Sequence, residues 1–209
     1  MADYSEDTGK RPAAIEKIYE DVAATHRIGE LVKALAHERL LLPVVPHGRE
    51  CGGSDGFVSV EVSMQRMAIE AFTDIDSLQR AYPSGRPRPL PAQHVCLAAL
   101  HRGGRVVIDS TFIVPRPAVA ALGQGDTWLP AWDDDELGHI VHTIASRHEG
   151  IDTATIAEGP DSTDLIRIHV KADCSRPHHQ VKAVIKQLME CERLIVACDV
   201  MTMEPVVVH

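Results

Sequence analysis

Four prolines in the stretch FTDIDSLQRAYPSGRPRPLP, residues 72–91, constrain this chain more than any other feature. A residue that precedes proline is pushed out of the helical region, and proline itself has no amide hydrogen to donate. Arg86, Arg88 and Leu90 each precede one, so RPRPLP must run extended. Just upstream, Thr73 or Asp74 is placed to cap a short helix in DIDSLQRAY, with Ile75 and Leu78 facing inward. Pro83, Ser84 and Gly85 stop that helix. Downstream, AQHVCLAALHRG has helical spacing and closes at Gly103. A capped helix, a stiff extended crossing and a second helix therefore follow one another.

The other elements are read from their periods. AAIEKIYEDVAA (13–24) sets Ile15, Ile18, Tyr19 and Val22 at helical spacing, and IGELVKALAH does the same with Ile28, Leu31, Val32 and Leu35. LLLPVVPH reads as a buried strand whose Pro43 argues for an edge or an irregularity. FVSVEVS and RMAIEAFT alternate as two antiparallel strands over 56–72, after the glycine-rich GRECGGSDG. RVVIDS and TFIVP are short strands, and RPAVAALGQG is a helix with Pro117 in its first turn. Beyond the composition shift at DTWLPAWDDDE, the spacing predicts a helix in DDELGHIVHTIASRHEG, strands in IDTATIAE and TDLIRIHVKA, and a helix in RPHHQVKAVIKQLMEC. RLIVACDV then reads as a final strong strand, and MEPVVVH as a short edge strand.

These elements define an α/β (α+β) fold: a mixed sheet flanked by helices, then a smaller C-terminal α+β unit. The expected organisation is an N-terminal extension with an amphipathic helix at 1–25, an α/β domain at 26–130 and an α+β domain at 131–209. A chain of 209 residues is long enough for such cores. The formal net charge of −9 would repel a phosphate backbone or an anionic membrane surface, so neither nucleic acid nor membrane is an expected partner. No apolar run approaches the roughly 18–20 residues that span a bilayer, and the polar start has no signal-peptide core. Five cysteines, an odd number without a C-x-x-C, suit a reducing compartment. The expected location is the cytoplasm.

Several stretches, in this order, resemble the N-terminal domain of SseB-like proteins. They are ALAHERLLLPVVPH, AIEAFTDIDSLQRAYPSGRPRPLP, RVVIDS and FIVPRPAVAALGQGDTWLPAW. A strand ending in Phe-Thr, a short helix, a proline-rich extended segment, a VxDS strand and an RPAVxAL segment carry the resemblance. It covers roughly 28–132 and leaves the helix at 13–24 outside. It implies a fold more than a function, because the family brings no reaction, cofactor or catalytic residue to transfer.

Candidate sites then rest on the residues alone. Arg86 and Arg88, two apart in an extended segment, can point the same way and grip a carboxylate or phosphate, with Arg80 nearby in sequence. The competing reading is a stiff crossing whose arginines keep it soluble. His169, Cys174 and His178 flank a strand-to-helix turn and are candidate metal ligands, although nothing in their spacing requires a metal and H-E-x-x-H is absent. Cys51 lies beside Arg49 in a glycine-rich loop, a weak candidate nucleophile. No G-x-S-x-G and no phosphate-binding glycine loop is present. The acidic run Asp133–Glu136 suits a helix start. Ile15, Ile18, Tyr19 and Val22 form an apolar stripe that must pack on its own domain, on another copy or on a partner.

The expected function is a non-catalytic adaptor or scaffold that binds an unidentified protein or itself, with no cofactor. The alternative is a small anionic-ligand binder, or an enzyme, using Arg86 and Arg88.

Overall fold

The computed structural model describes residues 7–21, 27–44, 58–62 and 66–208. They divide into two compact units, Met1–Trp128 and Leu129–His209. The glycine-rich loop with Cys51, and Val22 of the apolar stripe, lie outside the described residues. Helices and three sheets confirm the mixed α/β reading.

The first unit begins with α1 (Ala13–Glu20) and α2 (Arg27–Leu35), which pack on each other. Strand β1 (Arg39–Val44) pairs antiparallel with β4 (Arg86–Pro91), the proline-rich segment. Pro43 faces Pro87, and neither has an N–H to exchange. The hydrogen-bonded pairs are therefore the alternate ones, Leu40–Leu90, Leu42–Arg88 and Val44–Arg86. Leu41, opposite Pro89, turns its backbone the other way and exchanges bonds of 2.7 and 2.9 Å with Phe72. The prolines thus do more than turn a corner: they decide which strand edge pairs with which neighbour.

That bridge leads to a second sheet in the order β2 (Ser59–Val62), β3 (Arg66–Ala71), β5 (Val106–Ile108), β6 (Phe112–Val114). Neighbours β3 and β5 are parallel, while the outer pairs are antiparallel. Helix α3 (Ile75–Ala81) follows β3, capped by Asp74, whose Oδ1 accepts from the Ser77 N–H at 2.7 Å. Helices α4 (Ala92–Leu100) and α5 (Arg116–Gln124) pack together, and α4 also contacts β3 and β5. Gly125, at φ +78°, ends α5 in the left-handed region.

The second unit runs α6 (Asp135–Ala145), β7 (Ile151–Glu158), β8 (Asp164–Lys171), α7 (Pro177–Met189), α8 (Glu192–Ala197) and β9 (Met201–Val208). Sheet order is β7-β8-β9, antiparallel then parallel. Leu137, Val141, Val184 and Leu188 of α6 and α7 close the core over Ile166, Ile168 and Val170 of β8. One expectation fails here. RLIVACDV does not form the last strand; residues 192–197 are helix α8, and the strand is MTMEPVVV. A short apolar run has no period that separates a strand from one buried helical turn. Pro205 is tolerated because β9 pairs on one side only.

Candidate functional site

Parallel strands β3 and β5 end side by side, and both are followed by polar residues. Beyond β3 come Phe72, Thr73 and Asp74; beyond β5 come Asp109 and Ser110. Phe72 packs with Leu41 and Leu78 and meets Tyr82 edge-on at 5.9 Å, fixing the backbone from which Thr73 projects. The Asp109 N–H reaches the Ala71 carbonyl at 2.9 Å. Asp109 and Ser110 hold φ of 50° and 55°, the pair of left-handed residues that a type I′ hairpin turn requires. Asp tolerates that region better than most residues.

The turn aims Asp109 back at Thr73. Its carboxylate, 3% exposed, accepts from the Thr73 N–H (2.8 Å), the Thr73 hydroxyl (2.5 Å) and the Tyr19 hydroxyl (2.7 Å). Residues 7–11 lie against this group. The Arg11 guanidinium donates to Thr73 Oγ1 (2.8 Å), Asp74 Oδ2 (2.5 Å), Ser77 Oγ (3.2 Å) and Glu16 Oε2 (3.2 Å). It also stands 4.0 Å above the Tyr19 ring. Arg39, buried on β1, grips Asp7 through two bonds of 2.6 and 3.0 Å, the bidentate geometry that planar guanidinium favours. It donates further to the carbonyls of Lys10 (2.8 Å) and Thr73. On the neighbouring strand position, buried Glu70 accepts from Ser110 (2.6 Å) and Tyr82.

The electrostatics follow from these contacts. The Arg39 hydrogen bond holds the Asp7 carboxyl below the usual carboxylate range. Burial pushes Asp74 up, but the Ser77 amide and hydroxyl and Arg11 outweigh it, and its carboxyl also sits low. Burial, reinforced by Asp109, raises the Tyr19 phenol. Arg11 rises despite its burial, because Asp109 and Asp74 face it. Two acids go down and the phenol goes up, all away from neutrality. The cluster is a network of carboxylates, guanidinium and hydroxyl groups that engage one another.

The residues singled out by sequence are placed as follows. Arg80, Arg86 and Arg88 are exposed. Arg86 and Arg88 share one face of β4, as their spacing predicts, and their side chains make no hydrogen bond or ion pair with described residues. Arg80 sits on α3, at a cleft of about 570 Å³ that it shares with Gly9, Arg11 and Asp76. His169, Cys174 and His178 are not brought together: among the described residues no three His, Cys, Asp or Glu side chains have a metal-holding arrangement. His169 instead meets the Thr155 hydroxyl at 3.2 Å, across the β7–β8 pair. The apolar stripe is corrected in part. Ile15 is fully buried and so is closed to a partner, while half-buried Tyr19 turns its hydroxyl to Asp109 and meets Phe112 at 5.3 Å. Ile18 is half-buried and lines a groove of about 540 Å³ with Ala14, Lys17, Glu30 and Ala34. Asp7, Arg11, Arg39, Glu70 and Asp109 escaped sequence reading. The available signal was that two apolar strands, AFTD and VVIDS, end in a hydroxyl residue beside an aspartate.

The SseB protein N-terminal domain matches residues 13–121. The match spans more than half the chain, and the chain belongs to the SseB family. It begins at α1, so that helix is part of the family domain and not an addition to it. No curated protein matches the chain. No described helix is long and apolar enough to cross a membrane.

Proposed function

We propose that this protein is a non-catalytic adaptor that binds a protein segment through the groove between α1 and α2. The observation that carries the reading is the groove itself. It is lined by Ala14, Ile18 and Ala34 and by charges of both signs from Lys17, Asp21, Glu30 and Lys33. An apolar trough with a mixed charged rim fits the apolar stripe of an amphipathic helix. Arg27 supports the trough from one end: it donates to the Ile18 carbonyl at 3.1 and 2.8 Å and lies over the Phe112 ring. The polar cluster at the strand ends supports the non-catalytic part, since its groups engage one another, with Asp7 and Asp74 held low and the Tyr19 phenol pushed up. Four described cysteines, all thiols, agree with a place in the cytoplasm.

The test is a photo-cross-linking residue at Ile18 in the native host, with exposed Gln79 on α3 as the control position. The expected result is one stoichiometric polypeptide adduct from position 18, absent from position 79. Equal adducts from both positions, or none, would overturn the reading.

A second reading is favoured by the exposed pair Arg86 and Arg88 on one face of β4. They would clamp a small phosphate or carboxylate ligand. Phosphate-induced NMR shifts at β4 that vanish in Arg86→Ala/Arg88→Ala support it; a phosphate titration that leaves β4 unmoved rejects it.

A further inference from the structure

Residues 7–11 form neither helix nor strand, yet they lie where the parallel strands β3 and β5 end. Open α/β sheets bind their ligands outside the carboxyl ends of such strands. Here the place is taken by the chain's own segment, and the contacts are those of a bound peptide. Asp7 is held bidentate by buried Arg39, and the Lys10 carbonyl accepts from the same guanidinium. Gly9 gives its carbonyl to the Ile75 N–H at 2.9 Å. A Cβ at Gly9 would stand 2.0 Å from Ile75 Cδ1, and φ there is +70°, so this position favours glycine. Arg11 reaches Thr73, Asp74 and Ser77. The segment lies before residue 13, where the family domain begins, while Arg39, Thr73, Asp74 and Asp109 lie inside that domain.

We propose that Arg39, Thr73, Asp74 and Ile75 form a peptide-recognition slot, which the chain fills with its own residues 7–11. The slot accepts in trans a turned segment with a carboxylate four residues before an arginine and a glycine midway, as in the chain, where the Gly9 N–H bonds back to Asp7 Oδ1 at 2.9 Å. Exchange is feasible because the segment is held mainly through side-chain ends, with one backbone-to-backbone bond to α3 among the described residues. Opening the slot frees a buried arginine and a carboxylate at once, so an incoming peptide must supply both charges to compete. This surface is separate from the α1–α2 groove, and either proposal can fail while the other holds.

The test uses the full chain and a fluorescent peptide, SEDTGKRP, which copies residues 5–12. Asp7→Ala in the chain removes the resident carboxylate and leaves the slot intact. The expected anisotropy result is binding at least about tenfold tighter to this variant than to the wild type, since one bidentate charge-assisted contact no longer competes. Replacing the Asp or the Arg of the peptide by Ala is expected to weaken binding by about tenfold or more each. If the variant fails to fold, native mass spectrometry of the wild-type chain with excess peptide gives the same answer through a one-to-one complex that both Ala peptides lose. No complex with either chain overturns the proposal, and so does a complex that survives both Ala replacements.

Discussion

Replacing Asp109 by alanine tests whether the strand-end cluster holds the first unit together. The side chain is 3% exposed and accepts three hydrogen bonds, from the Thr73 N–H, the Thr73 hydroxyl and the Tyr19 hydroxyl. The amide is the costly one. Thr73 is fully buried, so its N–H would be left without an acceptor, at about 1–3 kcal/mol. Alanine also tolerates φ of 50° less well than aspartate, which adds about 1 kcal/mol. Arg11 limits the damage: with Asp109 gone it keeps Asp74 at 2.5 Å and Glu16 at 3.2 Å. No buried cation is orphaned, so the loss stays below the upper end of the range for a broken buried pair. The total is about 2–4 kcal/mol, a large part of the roughly 5–15 kcal/mol that a domain has. Asp109→Asn keeps an acceptor for the amide and suits the left-handed turn, so it is expected to cost about 1–2 kcal/mol. The assay is urea unfolding followed by hydrogen-exchange mass spectrometry on the peptide over 106–114, which reads the first unit alone. An alanine variant within about 0.5 kcal/mol of the wild type at unchanged slope would falsify the reasoning, as would an asparagine variant as damaged as the alanine one.

Two further predictions concern the second unit and the thiols. Burial pushes the Asp164 carboxyl up to about 6, against the Asp199 N–H that bonds it at 3.0 Å. Its folded value lies above the unfolded one of about 3.9, so stability from this group is complete below pH 4 and is lost as pH rises through 6. The loss is at most about 2–3 kcal/mol, and Asp164→Asn is expected to flatten the second unit's pH dependence between 4 and 6. Urea titrations read on NMR signals of β8 check this, and an unchanged slope in the variant refutes it. Cysteine reactivity follows exposure: burial pushes the Cys96 thiol up to about 12 and also raises Cys198, while Cys174 and Cys191 are half-exposed. Alkylation of the native protein is expected to label Cys174 and Cys191 well before Cys96 and Cys198; early labelling of Cys96 would contradict the packing of α4.

Local chemistry was legible wherever the cause lay within a few residues. The Asp74 and Asp134 caps act three residues ahead, on the amides of Ser77 and Leu137. Gly125 sits at the end of the helix it terminates, and each proline of RPRPLP acts on its own predecessor. These effects fixed most elements, and the order of the motifs fixed the family. The failure at RLIVACDV marks the limit, since a short apolar run takes its state from the partner it finds.

The candidate site belongs to the other category. Arg39 meets Asp7 across 32 positions, Arg11 meets Asp74 across 63 and Tyr19 meets Asp109 across 90. No period or spacing records such a pairing, because it exists only after β3 and β5 align in parallel and bring their ends together. The Tyr19 hydroxyl turns inward to Asp109, and of the apolar stripe Ile18 lines the groove. From the sequence came the helices other than α8, the stiff crossing strand and the membership of the SseB family. Tertiary structure decided which charges meet, because a buried charge takes its partner from the side chains that folding places within a few ångströms of it.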